Sequence, residues 1–322
     1  MAVVLAGPGA GQLPCTETEQ MKKPVLLPLS AAILLALGAQ GVNGKTSFEA
    51  EAEAGLEYDS TLSVEELDRT VDQSDTARLL RGKLNAQWEA TENLTLKGGY
   101  SYLGRNYRDN SEFDLAIHQG FGDLSYDFDL ATLGASHYLA HAELDDRDFL
   151  TLNQTSVYAS RLFDQRLFVR VAANVRDKAF EGRPQRDADN VGVEGDVYLF
   201  FNGAKSFVSL GLSADGEDAK DPQFDYDGMG LKAKAQNTFT ILGKDSKVAL
   251  SHRYVDRDYD HVTPEIGALR DDRRHTTRLE WEVAMMPHLD IVSAVEYGHY
   301  DSNLDSVNYS ESLASIALRL KL

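Results

Sequence analysis

Apolar and polar residues alternate one by one over long stretches of this sequence, and that alternation constrains the fold more than any other feature. The clearest stretch sets Leu167, Val169, Val171, Ala173 and Val175 against Phe168, Arg170, Ala172, Asn174 and Arg176. Successive side chains of a β-strand point to opposite faces, so one face of this strand is apolar. The pattern recurs near residues 80–89, 229–236, 278–283 and 314–322. Many long strands of this kind predict a transmembrane β-barrel.

We predict an all-β fold, an antiparallel up-and-down transmembrane barrel of about 14 strands that occupies residues 45–322. The strands are expected near 46–59, 77–91, 94–107, 113–127, 129–143, 148–162, 166–178, 188–201, 205–215, 224–241, 245–258, 272–286, 288–300 and 308–322. The fourth and fifth alternate poorly, which we interpret as a bulge at Gly120 and Gly122. A soluble β-sandwich or propeller would also alternate and is the alternative fold.

The connections between the predicted strands differ in length. Short turns are expected near residues 92–93, 128, 164, 202–203, 243 and 287, and longer loops near 60–76, 108–112, 179–187, 216–223 and 259–271. Short periplasmic turns opposite longer outer loops are typical of outer-membrane barrels, and an even number of strands returns both termini to the periplasm.

The N-terminal segment has the organisation of a secretory signal. Two lysines after Met21 precede an apolar run from Val25 to Leu37, and small residues precede a cleavage site near Lys45. We therefore expect residues 21–44 to be a signal peptide, and residues 1–20 to be an upstream extension from an incorrectly assigned start. A membrane anchor is the alternative, but spanning a bilayer takes about 20 apolar residues.

Composition argues against two classes of partner. The chain has 51 acidic and 32 basic residues and a formal net charge of −19, whereas binding to nucleic acid needs a basic face. The single cysteine, Cys15, permits no internal disulfide and no cysteine-rich metal site. We predict no cofactor and no nucleic-acid partner.

Aromatic residues gather at both ends of the predicted strands. One group lies near the short turns: Trp88, Tyr126, Phe128, Phe163, Phe201, Phe239 and Trp281. The other lies near the longer loops: Tyr58, Tyr102, Tyr107, Phe149, Phe180, Tyr226, Tyr254, Tyr259, Tyr297 and Tyr300. Two belts of amphipathic rings are expected at the two membrane interfaces.

Both ends of residues 45–322 resemble known families. Residues 55–60 (GLEYDS), the acidic loop and long strand that follow, and the tyrosines of 100–107 resemble the first hairpins of β-barrel porins of Gram-negative bacteria. Residues 297–310 and the alternating terminus resemble the C-terminal barrel of surface lipoprotein assembly modifiers. Residues 315–322 resemble the signal read by the barrel assembly machinery, with Ala317 in place of the usual glycine and Leu322 in place of phenylalanine. The resemblance implies an outer-membrane barrel and that machinery as a partner.

The sequence does not place catalytic groups together. Ser251 and His252 are neighbours on a predicted strand and therefore point to opposite faces, as do Ser136 and His137. A nucleophile, a base and an orienting group would have to share one face. We predict no catalytic residues and no enzyme activity.

Charged residues on the inward-facing positions predict a polar lumen. Glu49, Glu51, Glu53 and Glu57 form an acidic ladder on the first strand, flanked by Arg81 and Lys83 on the second strand and by Arg319 and Lys321 on the last. Across the barrel lie the basic residues Arg170, Arg176, Lys232, Lys234, Lys247, Arg253, Arg257 and Arg278, with Glu194, Asp196, Glu280, Glu282 and Glu296 between them. These charges indicate either a conducting path or a self-neutralising network that rigidifies a closed barrel.

Acidic residues also cluster in the predicted outer loops: Glu65, Glu66, Asp68, Asp72 and Asp75; Asp145, Asp146 and Asp148; Glu217, Asp218, Asp221 and Asp225; Asp271 and Asp272. Carboxylates at this density can hold divalent cations shared with lipopolysaccharide phosphates, and they are equally common on solvated loops without a metal. We assign no metal site.

The leading functional hypothesis is a porin-like channel in the cell outer membrane, through which small polar or charged solutes diffuse. Outer-membrane lipid and lipopolysaccharide would surround it. An export or assembly barrel and a non-conducting structural barrel are the alternatives.

Overall fold

A computed structural model of the protein describes residues 44–322, in which fourteen antiparallel strands close into one barrel. The barrel strands are β1 (Lys45–Asp59), β4 (Asp75–Glu89), β5 (Leu94–Tyr107), β6 (Leu115–Asp127), β7 (Thr132–Leu144), β8 (Arg147–Phe163), β9 (Leu167–Phe180), β10 (Ala188–Phe201), β11 (Ser206–Ala219), β12 (Tyr226–Ile241), β13 (Lys244–Thr263), β14 (Ala268–Met286), β15 (Leu289–Ser302) and β16 (Tyr309–Lys321). The short strands β2 (Leu62–Val64) and β3 (Arg69–Val71) form a separate hairpin. The predicted strand number and up-and-down topology are confirmed.

Residues 1–20 and the signal peptide up to residue 43 lie outside the described residues. Residues 44–322 contain no helix that is long and apolar enough to cross a membrane. Five short 3-10 turns occur in the connections of this part of the chain.

The barrel closes where the first strand pairs with the last. Leu56 of β1 is opposite Ile316 of β16, and Glu53 is opposite Arg319. On its other side β1 pairs with β4, and each later strand pairs with the next in the chain. Within residues 45–321 closure leaves no unpaired edge in the barrel sheet, which is a requirement for a sheet that meets lipid.

The outer face of the barrel is apolar, as the alternation predicts. On β9 Val171 and Val175 are each 55% exposed, whereas the alternate residues Arg170, Ala172 and Asn174 are buried. Exposed apolar residues occur at equivalent positions around the barrel, among them Leu56, Leu80, Val193, Leu212, Val295 and Ile316. An exposed apolar band of this kind would be unfavourable in water and is stable in contact with lipid.

Several strands extend further than the sequence predicts, so the outer connections are shorter. β11 continues to Ala219, and β13 and β14 reach Thr263 and Ala268. Asp145 and Asp146, expected in an outer loop, form a two-residue turn with φ of 54° and 56°. Both central residues of a type I′ hairpin turn need positive φ, which Asp tolerates better than most residues.

The predicted bulge at Gly120 and Gly122 is wrong. β6 pairs with β5 and β7 without a shift in register at these residues. Poor alternation has another cause: the inward positions near the outer end of β6 carry the apolar Leu115 and Ile117, both buried, while His118 lies on the outer face. Apolar residues point inward here because the outer part of the lumen contains a protein core.

Candidate functional site in the barrel lumen

The connection between β1 and β4, residues 60–74, folds into the lumen rather than away from it. We refer to it as the inserted loop. Its hairpin buries Leu62 completely and Val64 almost completely. These residues pack in an apolar cluster with Tyr107, Phe113, Ile117, Phe149 and Phe180 of the barrel wall and outer loops. The outer part of the lumen is therefore partly filled by the protein's own chain.

Burial inside the barrel, in this cluster and beside it, explains why the predicted outer aromatic belt is largely wrong. Six of its members are buried inside the barrel: Tyr107, Phe149, Phe180, Tyr226, Tyr259 and Tyr300. Phe149 turns inward because the β7–β8 register skips it, and its ring is 5.9 Å from that of Phe180. Tyr58 and Tyr297 face outward as predicted, and so do most rings near the short turns, including Phe163 and Trp281.

The inserted loop reaches the opposite wall with three carboxylates, Glu65, Glu66 and Asp68, which we call the acidic tip. Asp68 forms ion pairs with Arg186 and, at 2.8 Å, with Arg270. Burial alone would raise the pKa of Asp68, but the charges and hydrogen bonds of Arg270 and Arg186 outweigh burial and lower this pKa below its ordinary value. Asp68 thus remains ionised at neutral pH.

The other two carboxylates of the acidic tip are also paired. Glu65 contacts Arg274 and lies 3.8 Å from Arg257, and Glu66 lies 3.9 Å from Lys178. We call the five partners of the tip the basic cluster: Lys178, Arg186, Arg257, Arg270 and Arg274. Arg257 and Arg270 also lie over the rings of Tyr226 and Tyr259, at 4.7 and 4.5 Å from the centroids. Ionic contacts at the tip and apolar contacts at its base together hold the inserted loop across the lumen.

These contacts correct the expectation that the acidic clusters project from outer loops. Glu217 and Asp218 lie in β11, and Asp271 and Asp272 lie in β14. Asp272 is buried and accepts hydrogen bonds from Arg270 and Arg274, both at 2.8 Å. Glu217 is 2.7 Å from Lys178. Much of this acidic charge is therefore neutralised by arginine and lysine.

Two groups of three possible metal ligands lie close together in the described residues. One is His141, Glu143 and Asp148, and the other is Asp256, Asp258 and Asp271. In the second group Arg273 lies 2.6 Å from Asp271 and 3.8 Å from Asp256, so the guanidinium group of Arg273 already neutralises part of the charge of this group. Exposed carboxylates of this kind do not by themselves indicate a metal.

The predicted acidic ladder lies on the lumen wall and is largely neutralised by its neighbours. Glu53 pairs with Arg81 and, at 2.8 Å, with Arg319. Glu51 lies 4.0 Å from Lys83, and Glu57 pairs with Arg105. Glu49, near the periplasmic end, is exposed and accepts a hydrogen bond from Asn85 at 3.3 Å.

The same network continues on β13 to β16. Glu282 lies within 2.7 Å of three basic groups, those of Lys247, Arg319 and Lys321. Arg278 is 3.3 Å from both Glu280 and Glu296. This side of the lumen therefore combines many charges with little net charge.

The wall around β9 to β13 is different because several basic side chains there lack a carboxylate partner. Arg170 is paired with Glu194 at 2.7 Å and lies 3.9 Å from Asp196. Arg176 donates to the amide oxygens of Gln154 and Asn190. In the described residues Lys232 forms a single ion pair, with Glu194 at 3.9 Å. Within residues 44–322 the side chains of Lys234 and Arg253 form no ion pair, although Lys234 lies 5.8 Å from the Phe207 ring.

Sequence reasoning missed part of this site. Arg105 and Lys178 occupy inward positions of predicted strands and could have been found from the alternation of inward and outward residues alone. Arg186 and Arg270 fell in predicted outer loops, so nothing local indicated that they meet the acidic tip. Ser251 and His252 lie on opposite faces, as expected: Ser251 donates to the Arg278 carbonyl, and His252 bonds to Thr277.

Similarity to solved structures agrees with the closed barrel and its apolar outer face. The loop L8 deletion mutant of OmpT, an outer-membrane protein of Vibrio cholerae, has a TM-score of 0.51 and 11% identity, and the match covers 87% of this chain and 99% of that one. The in-vitro folded trimer form of OmpT gives 0.50 and 10%, with the same coverage. The chain has the fold of an outer-membrane β-barrel protein. At such low identity the similarity concerns the fold alone.

No protein-family model matches the chain, and no curated protein matches it in sequence. The function of this outer-membrane barrel therefore has to be argued from its lumen.

Proposed function

We propose that the protein is an outer-membrane channel for the diffusion of small polar or charged solutes, with a preference for anions. The observation that supports this proposal is the excess of basic groups on the wall around β9 to β13. In the described residues Arg176, Lys234 and Arg253 of this wall form no ion pair with a carboxylate. Charges of one sign inside a low-dielectric wall concentrate ions of the opposite sign. The inserted loop narrows the outer part of this path.

A non-conducting structural barrel is the second candidate, and the apolar cluster at the base of the inserted loop supports it. Side chains such as Leu62 and Phe113 are buried there as in the core of a soluble domain. If that core and the ionic contacts of the acidic tip close the whole cross-section, the lumen charges serve only to stabilise the barrel.

Conductance of the refolded protein in planar lipid bilayers separates the two candidates. A channel should carry steady current, and its reversal potential in a salt gradient should indicate anion preference. Replacing Lys232, Lys234 and Arg253 together by glutamine should shift the reversal potential toward cations. Lys97→Gln is the matched control because it removes one lysine from β5, on the opposite side of the barrel, and should cause a smaller shift. Absence of current in all forms would reject the channel.

A further inference from the structure

A cavity of about 120 Å³ lies in the lumen beside the acidic tip. Glu65 and Glu66 of the tip form part of its lining, and Arg176, Lys232 and Arg253 lie on the facing wall. Lys178 and Arg257, which hold the tip, also border it. Five basic side chains from β9, β12 and β13 thus converge on one small space, which the carboxylates of Glu194 and Asp215 also line.

Three of these five have unused capacity to bind an anion. Arg176 contacts only neutral amide oxygens, at 3.0 and 3.5 Å, and Lys232 is 3.9 Å from its one carboxylate. Arg253 has no hydrogen bond or ion pair from its side chain to any residue in the described part of the chain. Buried or partly buried cations without a close counterion are costly, and a bound anion would lower that cost.

The size of the cavity limits what it can hold. Pockets for drug-sized ligands measure roughly 300–1,000 Å³, so a cavity of about 120 Å³ suits a small ion. Guanidinium groups favour planar or tetrahedral oxyanions, because their N–H donors match pairs of oxygen atoms. The ligand class is therefore a small oxyanion, either phosphate or a short carboxylate.

We propose that this cavity is a binding site for a small oxyanion, held by Arg176, Lys232 and Arg253. An anion bound there would lie next to Glu65 and Glu66 and would compete with them for Arg257 and Lys178. Occupancy should therefore weaken the hold on the acidic tip. This site deepens the proposed channel function, since it names the class of solute that the lumen would select.

Calorimetric titration of the refolded protein in detergent tests the site, with inorganic phosphate and succinate as separate probes at constant ionic strength. We expect saturable binding of at least one probe. The double variant R176Q/R253Q should bind about tenfold more weakly or worse, because charge-assisted hydrogen bonds are lost. E65Q/E66Q should bind more tightly than the natural protein because the competing carboxylates are gone. Lys97→Gln should leave binding unchanged.

The outcomes separate the site from the channel. Saturable binding with these opposite effects in the two double variants supports the site, and the preferred probe identifies phosphate or carboxylate. No saturable binding, or equal binding by R176Q/R253Q and the natural protein, overturns the site even if the barrel conducts. Binding in a barrel that carries no current retains the site and rejects only the channel. Heat-modifiable migration on gels confirms that each variant is folded.

Discussion

Carboxylates on the inner wall differ in the number of cations around them. Glu53 is 4% exposed and lies between the guanidinium groups of Arg81 and Arg319 on the two neighbouring strands. Glu49, on the same strand and face, is exposed near the periplasmic end and bonds only to Asn85. The same residue type therefore contributes very differently to the stability of the barrel.

Glu53→Gln should lower the free energy of unfolding by about 2–3 kcal/mol. The substitution leaves two guanidinium groups close together without their counterion, and the partial exposure of Arg81 keeps the loss below that of a fully buried pair. Urea-induced unfolding from phospholipid vesicles measures the difference. Glu49→Gln is the control and should change stability by less than about 0.5 kcal/mol. Equal losses for both would contradict the role given to the Glu53 network.

Val171 lies in the middle of the outward row of β9 and is 55% exposed. Val171→Arg would place a charge near the centre of the bilayer, which costs about 2–4 kcal/mol in transmembrane barrels. The same unfolding measurement should detect this loss. Val171→Met also lengthens the side chain but remains apolar, so it should be nearly neutral. A tolerated arginine would mean that this face does not meet lipid.

At the scale of elements, the sequence predicted the strands well because one physical pattern controls them. A strand between lipid and water must alternate apolar and polar residues, and β9 and β16 show this alternation directly. The pattern weakens at the outer end of β6, where Leu115 packs inside the barrel. Local sequence could not reveal this, because at that height the inward Leu115 and Ile117 are more apolar than the outward Ala116 and His118.

The inserted loop was beyond prediction for a related reason. Its acidic residues have the composition of an ordinary solvated loop, and their partners are distant in sequence: Arg186 is 118 residues and Arg270 is 202 residues from Asp68. Only the closed barrel brings them together. The aromatic residues were misplaced for the same reason, since rings at the outer strand ends can face either lipid or a core inside the lumen.

The ion pairs of Asp68 make the position of the inserted loop depend on pH. Because the pKa of Asp68 is lowered from 3.8 in the folded protein, its contribution is complete above that value and is lost as the pH falls through the lowered pKa. We expect the loop to keep its position between pH 5 and 7 and to be released only in acid, as the pH falls through the lowered pKa of Asp68, with a rise in current. Hydrogen exchange of residues 60–74 measures the release.

Asp68→Asn provides the control for this pH dependence. Without the carboxylate, Arg186 and Arg270 lose their ionic partner at every pH, so exchange in the inserted loop should already be faster at pH 7. The remaining pH dependence should be shallower than in the natural protein. Release of the natural loop between pH 5 and 7 would show that another group controls it.

At the scale of the whole molecule, the sign of the net charge and the sign of the lumen surface differ. The full sequence has a formal net charge of −19, yet the side chains without counterions on the wall around β9 to β13 are basic. The acidic ladder on β1 lies opposite β10 in the closed barrel, but basic neighbours neutralise all of it except Glu49. A transverse field across the lumen should therefore come mainly from the basic wall.

Anion preference should then decrease as the salt concentration rises. The Debye length falls from about 10 Å at 0.1 M to about 3 Å at 1 M, so high salt screens the basic wall from ions that pass more than a few ångströms away. Reversal potentials measured with the same concentration ratio, centred on low and then high potassium chloride, give the preference at each ionic strength. The variant K232Q/K234Q/R253Q should show a smaller preference and a weaker dependence on salt. A preference that did not change with salt would indicate selection by size or direct contact rather than by the field of the basic wall.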